Sequence, residues 1–214
     1  MTRVEPRKLA AALTLLILGI AVFAVSVLTA VGQTVDQQLM VSAAALSDAL
    51  VVFCSEFVGF VAPISAAAGV LVVLLIMLGG NSTGVIVRVL IVALGPIATA
   101  WILKNSLDRP VLDGLAMHNS FPSGTLTCVA AVVCEIYLVT ARRWRILVGF
   151  VGVLSIIGTA LSVVVLKWHR PSDAIGALLL AGCYALAVSA FPMNTAATRH
   201  SALADPDNER LAHL

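Results

Sequence analysis

The sequence predicts an all-α protein, a polytopic bundle of six transmembrane helices. Three observations carry that reading. Of the 214 residues, 60% are hydrophobic and only 11% charged, against about 25% charged in an average soluble domain. The apolar residues fall into six runs long enough to cross a bilayer. The basic residues are divided unequally between alternate loops. A hydrocarbon layer of about 30 Å, at about 1.5 Å of rise per residue, requires about 20 apolar residues per crossing. Six crossings consume most of the chain and exclude a large soluble domain. With 13 Lys plus Arg against 11 Asp plus Glu, the composition also argues against nucleic acid as a partner.

The first run, residues 9–31, follows Arg3, Arg7 and Lys8. Its length favours a retained first helix over a cleaved signal peptide. A polar patch at 32–38 comes next. The second run, 50–78, is too long for one straight crossing and is interrupted by Glu56, Gly59 and Pro63. Pro63 removes an internal hydrogen bond, which predicts a bent or broken helix; a re-entrant half-helix followed by a span is the alternative. After a Gly-Gly-Asn-Ser turn at 79–82, the third span covers 85–103.

Residues 104–123 form the only extended polar stretch between spans and carry Lys104, Arg109, Pro110, Asp113, His118, Asn119, Pro122 and Ser123. The fourth span is 124–140, the basic turn Arg142, Arg143 and Arg145 follows, and the fifth is 146–166. A short polar link, 167–173, precedes the sixth span, 174–191. One membrane domain over 1–193, with a motif-bearing core at about 49–191, is therefore expected ahead of a polar cytoplasmic tail, 194–214.

Six crossings place both termini and the loops after spans two and four on one side. That side receives Arg3, Arg7, Lys8, Arg88, Arg142, Arg143, Arg145, Arg199 and Arg210, which marks it as cytoplasmic in a cell membrane. Lys104, Arg109, Lys167 and Arg170 fall on the other side, in the two loops that also hold His118, His169 and Asp173. Cations kept against the topological preference fit the binding of an anion at that face.

Pro122, Ser123 and Gly124 open the fourth span, where unsatisfied N–H groups and the positive end of the helix dipole attract an anion. His169 and Asp173 are four residues apart, a spacing that returns the carboxylate to the imidazole and holds its tautomer. An oriented imidazole serves as a nucleophile toward phosphorus or as a base. Cys54, Cys128, Cys134 and Cys183 read as small buried hydrophobes, and neither a metal nor an organic cofactor is called for. Glu56 and Glu135 lie at apparent membrane depth, where acids sometimes mark transport pathways.

These loops resemble the motifs of the type 2 phosphatidic acid phosphatase family, integral-membrane lipid phosphatases related to vanadium haloperoxidases. That family carries a Lys, a gap and Arg-Pro, then Pro-Ser-Gly-His, then Ser-Arg, five residues, His, three residues and Asp. Here NSFPSG at 119–124 is similar to the second motif, and His169 with Asp173 keeps the third motif's final spacing. Arg109 and Pro110 match the end of the first motif, although only four residues separate Lys104 from Arg109 where the family has six. Keeping the usual gap would put Val111 at the arginine position.

The resemblance implies the family's six-helix fold and hydrolysis of a lipid or polyprenyl phosphate at the noncytoplasmic face. By it, His169 attacks phosphorus, Asp173 orients His169, and Lys104, Arg109 and the amides around Ser123 and Gly124 hold the phosphate oxygens. Two positions depart from the pattern: Thr125 replaces the second motif's proton-donating histidine, and Val163 replaces the third motif's arginine. His118 is the candidate to replace the donor, and Lys167 or Arg170 to offset the missing cation. A catalytically impaired binder of lipid phosphate, or an assembly protein, is the alternative, with transport through the buried acids as a third.

Overall fold

The computed structural model describes residues 4–112 and 119–191. Among them, seven α-helices and no strand form: α1 (Pro6–Leu28), α2 (Ala30–Ala44), α3 (Asp48–Leu78), α4 (Thr83–Ser106), α5 (Gly124–Val139), α6 (Arg145–Val165) and α7 (Pro171–Ser189). A 3-10 turn, Arg142–Trp144, joins α5 to α6.

Five helices, α1, α3, α4, α6 with its preceding turn, and α7, are long and apolar enough to cross a membrane, and α5 is a shorter apolar helix of 16 residues. The chain is a multi-pass membrane protein. Each of the six expected runs lies on one of these six helices. α2 is a seventh helix, where a polar connection was expected. Thr29 separates it from α1: its backbone is extended, with φ −121° and ψ 145°, and its Oγ1 accepts the Gly32 N–H at 3.0 Å. A side-chain oxygen of Ser, Thr, Asp or Asn at that place accepts from an otherwise orphaned helix-start N–H. The expected first span, 9–31, thus ends three residues early, at Leu28, and residues 30–31 belong to α2.

α3 runs through Pro63 without a break, so the broken and re-entrant readings do not hold. Ser47 caps its start by accepting the Leu50 N–H at 3.1 Å. α4 likewise contains Pro96, which is buried.

α5 is the axis of the bundle. It packs against α3, α4, α6 and α7 and buries Leu126, Thr127, Val129, Ala130, Ala131 and Val132. The outer helices turn large apolar side chains outward, among them Ile17, Phe60, Leu71 and Phe150. Polar residues, including Asp36, Ser123, Arg170 and Asp173, are inside. That inversion suits a protein whose surroundings are lipid.

The chain's two membrane-domain ends are tied together at one end of the bundle. Glu5 N–H donates to the Ala190 carbonyl at 2.8 Å, and Lys8 Nζ to the Ser189 carbonyl at 3.2 Å. The motif-bearing loops, between α4 and α5 and between α6 and α7, meet at the opposite end.

Close helix approach depends on glycine. A Cβ at Gly158 of α6 would lie 2.3 Å from Phe57 Cζ of α3, whereas one at Gly59 would meet nothing within 4 Å. Gly158→Leu is therefore expected to reduce stability by about 1–3 kcal/mol through overpacking. Gly59→Leu should stay within about 0.5 kcal/mol of the parent. Thermal unfolding of the detergent-purified variants checks the contrast.

Candidate active site

Asp173 is the centre of the polar end. It sits at the third position of α7, and none of its side chain is exposed. Oδ2 accepts Ser120 Oγ at 2.6 Å and the Arg170 N–H at 3.0 Å, and lies 3.5 Å from His169 Nδ1. Oδ1 is 3.7 Å from Arg109 Nη1, and the Asp173 carbonyl accepts the Ser123 N–H at 2.9 Å. One residue thus connects both motif loops.

The imidazole is placed by the turn after α6. The Val163 carbonyl accepts both the Trp168 and His169 N–H groups at 3.0 Å, and Lys167 takes a left-handed φ of 58° to make this turn. A left-handed backbone is costly for a residue with a Cβ, so this turn is held by its surroundings. With Nδ1 toward Asp173, the Nε2 edge of His169 is the one left for chemistry, and the side chain is 11% exposed. Val163 itself is fully buried, so the family's arginine position supplies a backbone acceptor and no charge.

Lys104 ends α4 beside the start of α5: a Cβ on Gly124 would be 3.5 Å from its Nζ. Ser123 caps α5, its Oγ accepting the Leu126 N–H at 3.4 Å. Its own N–H is committed to Asp173, so the expectation that this amide holds an oxyanion is revised. The first-turn amides of Gly124 and Thr125, which have no acceptor within an α-helix, remain. Thr125 is the second residue of α5 and half-buried.

Arg109 lies within the cluster. Nη1 donates to Ser120 Oγ at 3.2 Å, and the side chain is 3% exposed. Val111, the competing occupant of the arginine position, is 56% exposed. Arg170 is also buried and donates through Nε to Gln37 Oε1 at 3.2 Å. Lys104, Arg109, Gly124, His169, Arg170 and Asp173 therefore lie at the same end of the bundle. His118 and the tail lie outside the described residues. Glu56 is exposed, and Glu135 is buried about 16 Å along α5 from Gly124, so neither joins this cluster.

Four contributors had not been singled out: Ser120, and Gln33, Asp36 and Gln37 of α2. Gln33 donates through Nε2 to the carbonyls of Val27 and Pro110, at 2.6 and 2.7 Å, and accepts the Leu112 N–H at 3.2 Å. Asp36 accepts the Ser172 N–H at 2.9 Å and the Ser172 hydroxyl, and lies 3.8 Å from Arg109 Nη2. Spacings of three and four put these side chains on one helical face. That polar periodicity was the available signal.

Three cations, a helix start and an imidazole beside a carboxylate thus gather at one end of an apolar, membrane-spanning helical bundle. A family model described as the PAP2 superfamily matches residues 70–196, more than half of the chain. The chain belongs to the PAP2 superfamily. Comparison with curated proteins and with solved structures gives no match.

Burial raises the Asp36 carboxyl above its ordinary 3.8, against the two Ser172 donors; Asp173 adds to the rise and Arg109 opposes it. The folded chain therefore binds this proton more tightly than the unfolded chain, and stability falls as pH climbs from the ordinary value through the raised one. Asp36→Asn is expected to flatten that slope in unfolding curves taken across the acidic range. Asp36→Ala strands two buried Ser172 donors and should cost about 1–3 kcal/mol.

Proposed function

We propose that this protein is a membrane phosphohydrolase that cleaves a lipid or polyprenyl phosphate at the noncytoplasmic face through a phosphohistidine. The observation that carries the reading is the convergence of His169, Asp173, Arg109 and Lys104 with the start of α5, in a chain of this family. The excess of basic residues at the opposite end supports the assignment of face.

In this reading the phosphate oxygens lie against Lys104, Arg109, Arg170 and the first-turn amides of α5. His169 Nε2 attacks phosphorus, the bond from phosphorus to the lipid oxygen breaks, and that oxygen leaves with a proton. Asp173 stabilises the imidazolium character that develops as the N–P bond forms. Water then attacks the phosphohistidine, releasing inorganic phosphate and restoring the imidazole. The scheme needs no metal or cofactor.

The proton donor is the weak point of the constellation, because Thr125 cannot supply a proton near neutral pH as histidine does. His118, which directly precedes Asn119 in the sequence, is assigned that role. General acid catalysis is worth about 10²–10⁴-fold. The substitutions at positions 125 and 163 favour a second reading, a protein that binds lipid phosphate without turning it over.

Phosphate release by the purified protein, with phosphatidic acid, phosphatidylglycerol phosphate and polyprenyl phosphates, separates the two. Wild type should release phosphate and accumulate a labelled His169 under rapid quench, and His169→Ala should do neither. His118→Gln is expected to slow release by about 10²–10⁴-fold; an unchanged rate removes His118 from the mechanism. Equal turnover by wild type and His169→Ala eliminates the phosphohistidine.

A further inference from the structure

Beside the polar cluster, α1, α4 and α7 enclose an apolar cavity of about 330 Å³. Its walls include Gly19 and Phe23 of α1, Leu103 of α4 and Cys183 of α7, with Phe121 and Pro122 across one end. We propose that this cavity receives one hydrocarbon chain of the phosphate-bearing substrate, and that Gly19 and Leu180 set the chain it accepts. The inference rests on the reading of the polar cluster as a lipid-phosphate site.

Continuity with that cluster is the first argument. Pro122 adjoins the cap residue Ser123, Leu103 adjoins Lys104, and Gly176, another wall residue, is one turn beyond Asp173. A molecule whose head lies at Lys104 and Gly124 therefore has this cavity as its nearest apolar neighbour. The second argument is access. Leu16 and Ile20 line the cavity yet are 46% and 60% exposed on the outer face of α1, so it opens sideways to the bilayer.

The lining runs from Leu15 to Phe23 on α1, and from Thr99 of α4 to Leu107 just past its end, a length of about 12 Å that takes a stretch of alkyl chain end-on to the polar cluster. Gly19 sets the width where α1 meets α7: a Cβ there would be 3.8 Å from Leu179 Cβ, so any larger side chain enters the cavity.

Two other cavities are poor competitors. One, of about 390 Å³, is a shallow recess along α4 beside Tyr184 that none of the polar-cluster residues line. The other holds about 260 Å³ between α3, α4 and α5, none of the polar-cluster residues line it, and Glu135 is in its wall. Both oxygens of that carboxyl lack a hydrogen-bond partner among the described residues. An alkyl chain packed there leaves a buried carboxyl unsatisfied.

A chain leaving the bilayer for this cavity gains little hydrophobic free energy, because lipid tails are already apolar. Its contribution is orientation: a chain held along α1 and α7 limits the approach of the head to His169. The α1 wall lies outside the segment matched by the family, 70–196, so this selectivity belongs to the chain's own N-terminal helix.

The test uses the full-length protein in lipid nanodiscs and a single-chain alkylphosphonate with a diazirine at its tail end. After irradiation, labelled residues are mapped by mass spectrometry. Labelling is expected at the deep end, on Leu15, Thr99 and Cys183, and about tenfold less from an alcohol with the same chain. Gly19→Phe and, on the other wall, Leu180→Trp should each cut it about tenfold, a change of roughly 1.4 kcal/mol. Labels around Gly69 and Val132, labels spread over the outward faces of α1 and α3, or labelling untouched by both substitutions overturns the proposal. Phosphate release from the same preparations keeps the two readings apart. Deep-end labelling without release counts against hydrolysis alone, and release with labels elsewhere counts against the cavity alone.

Discussion

The polar end of this bundle is organised by the need to satisfy a fully buried carboxylate. Removing a charged carboxylate from water costs several kcal/mol even after relaxation, and the cost is offset only when donors and opposite charge surround it. Asp173 meets that demand with groups from two separated stretches: Ser120 and Arg109 from the α4–α5 connection, and His169 with the Arg170 N–H from the turn that leads into its own helix. Because each partner approaches from a different direction, satisfying the carboxylate also fixes the loops relative to one another. The cap of α5 is drawn into the same arrangement, since Ser123 reaches the Asp173 backbone carbonyl.

This constraint accounts for the strained turn before His169. α6 must end, reverse and deliver an imidazole to Asp173 within the few residues between Val165 and Pro171. A single left-handed residue, Lys167, and a carbonyl accepting two amides, that of Val163, achieve the reversal. Val163 does this through its peptide group alone: its carbonyl accepts both amides, and its side chain is fully buried and carries no charge.

What could be read from the sequence follows from which forces dominate each segment. Apolar runs of membrane length have one inexpensive solution, a helix, so six helices were legible. Pro63 predicts a bend or a break, and no break forms, because neighbouring helices and local adjustment allow proline inside membrane helices. α2 escaped notice because its pattern is reversed. Gln33, Asp36 and Met40 are buried while Val31, Val35 and Leu39 are exposed, so a search for a buried apolar stripe finds none. In the site, His169 and Asp173 could be paired because their spacing is local. Arg109 could be singled out only by its charge; its 3.7 Å approach to Asp173 is long-range and had no sequence signal. Asp36, 137 residues before Asp173, had no local signal to link the two.

Asp36 changes the electrostatics that the motifs alone imply. Three cations face two carboxylates, and Arg109 has one carboxylate on each side, at 3.8 and 3.7 Å. At such separations, unit charges near a protein surface interact by about 4 kcal/mol, so on the proposed function a phosphate competes with both carboxylates for the guanidinium. Burial disfavours the ionised form of Asp36, which places the less committed of the two carboxylates opposite Asp173 across Arg109 and leaves the guanidinium more open to another anion than two fully ionised acids would.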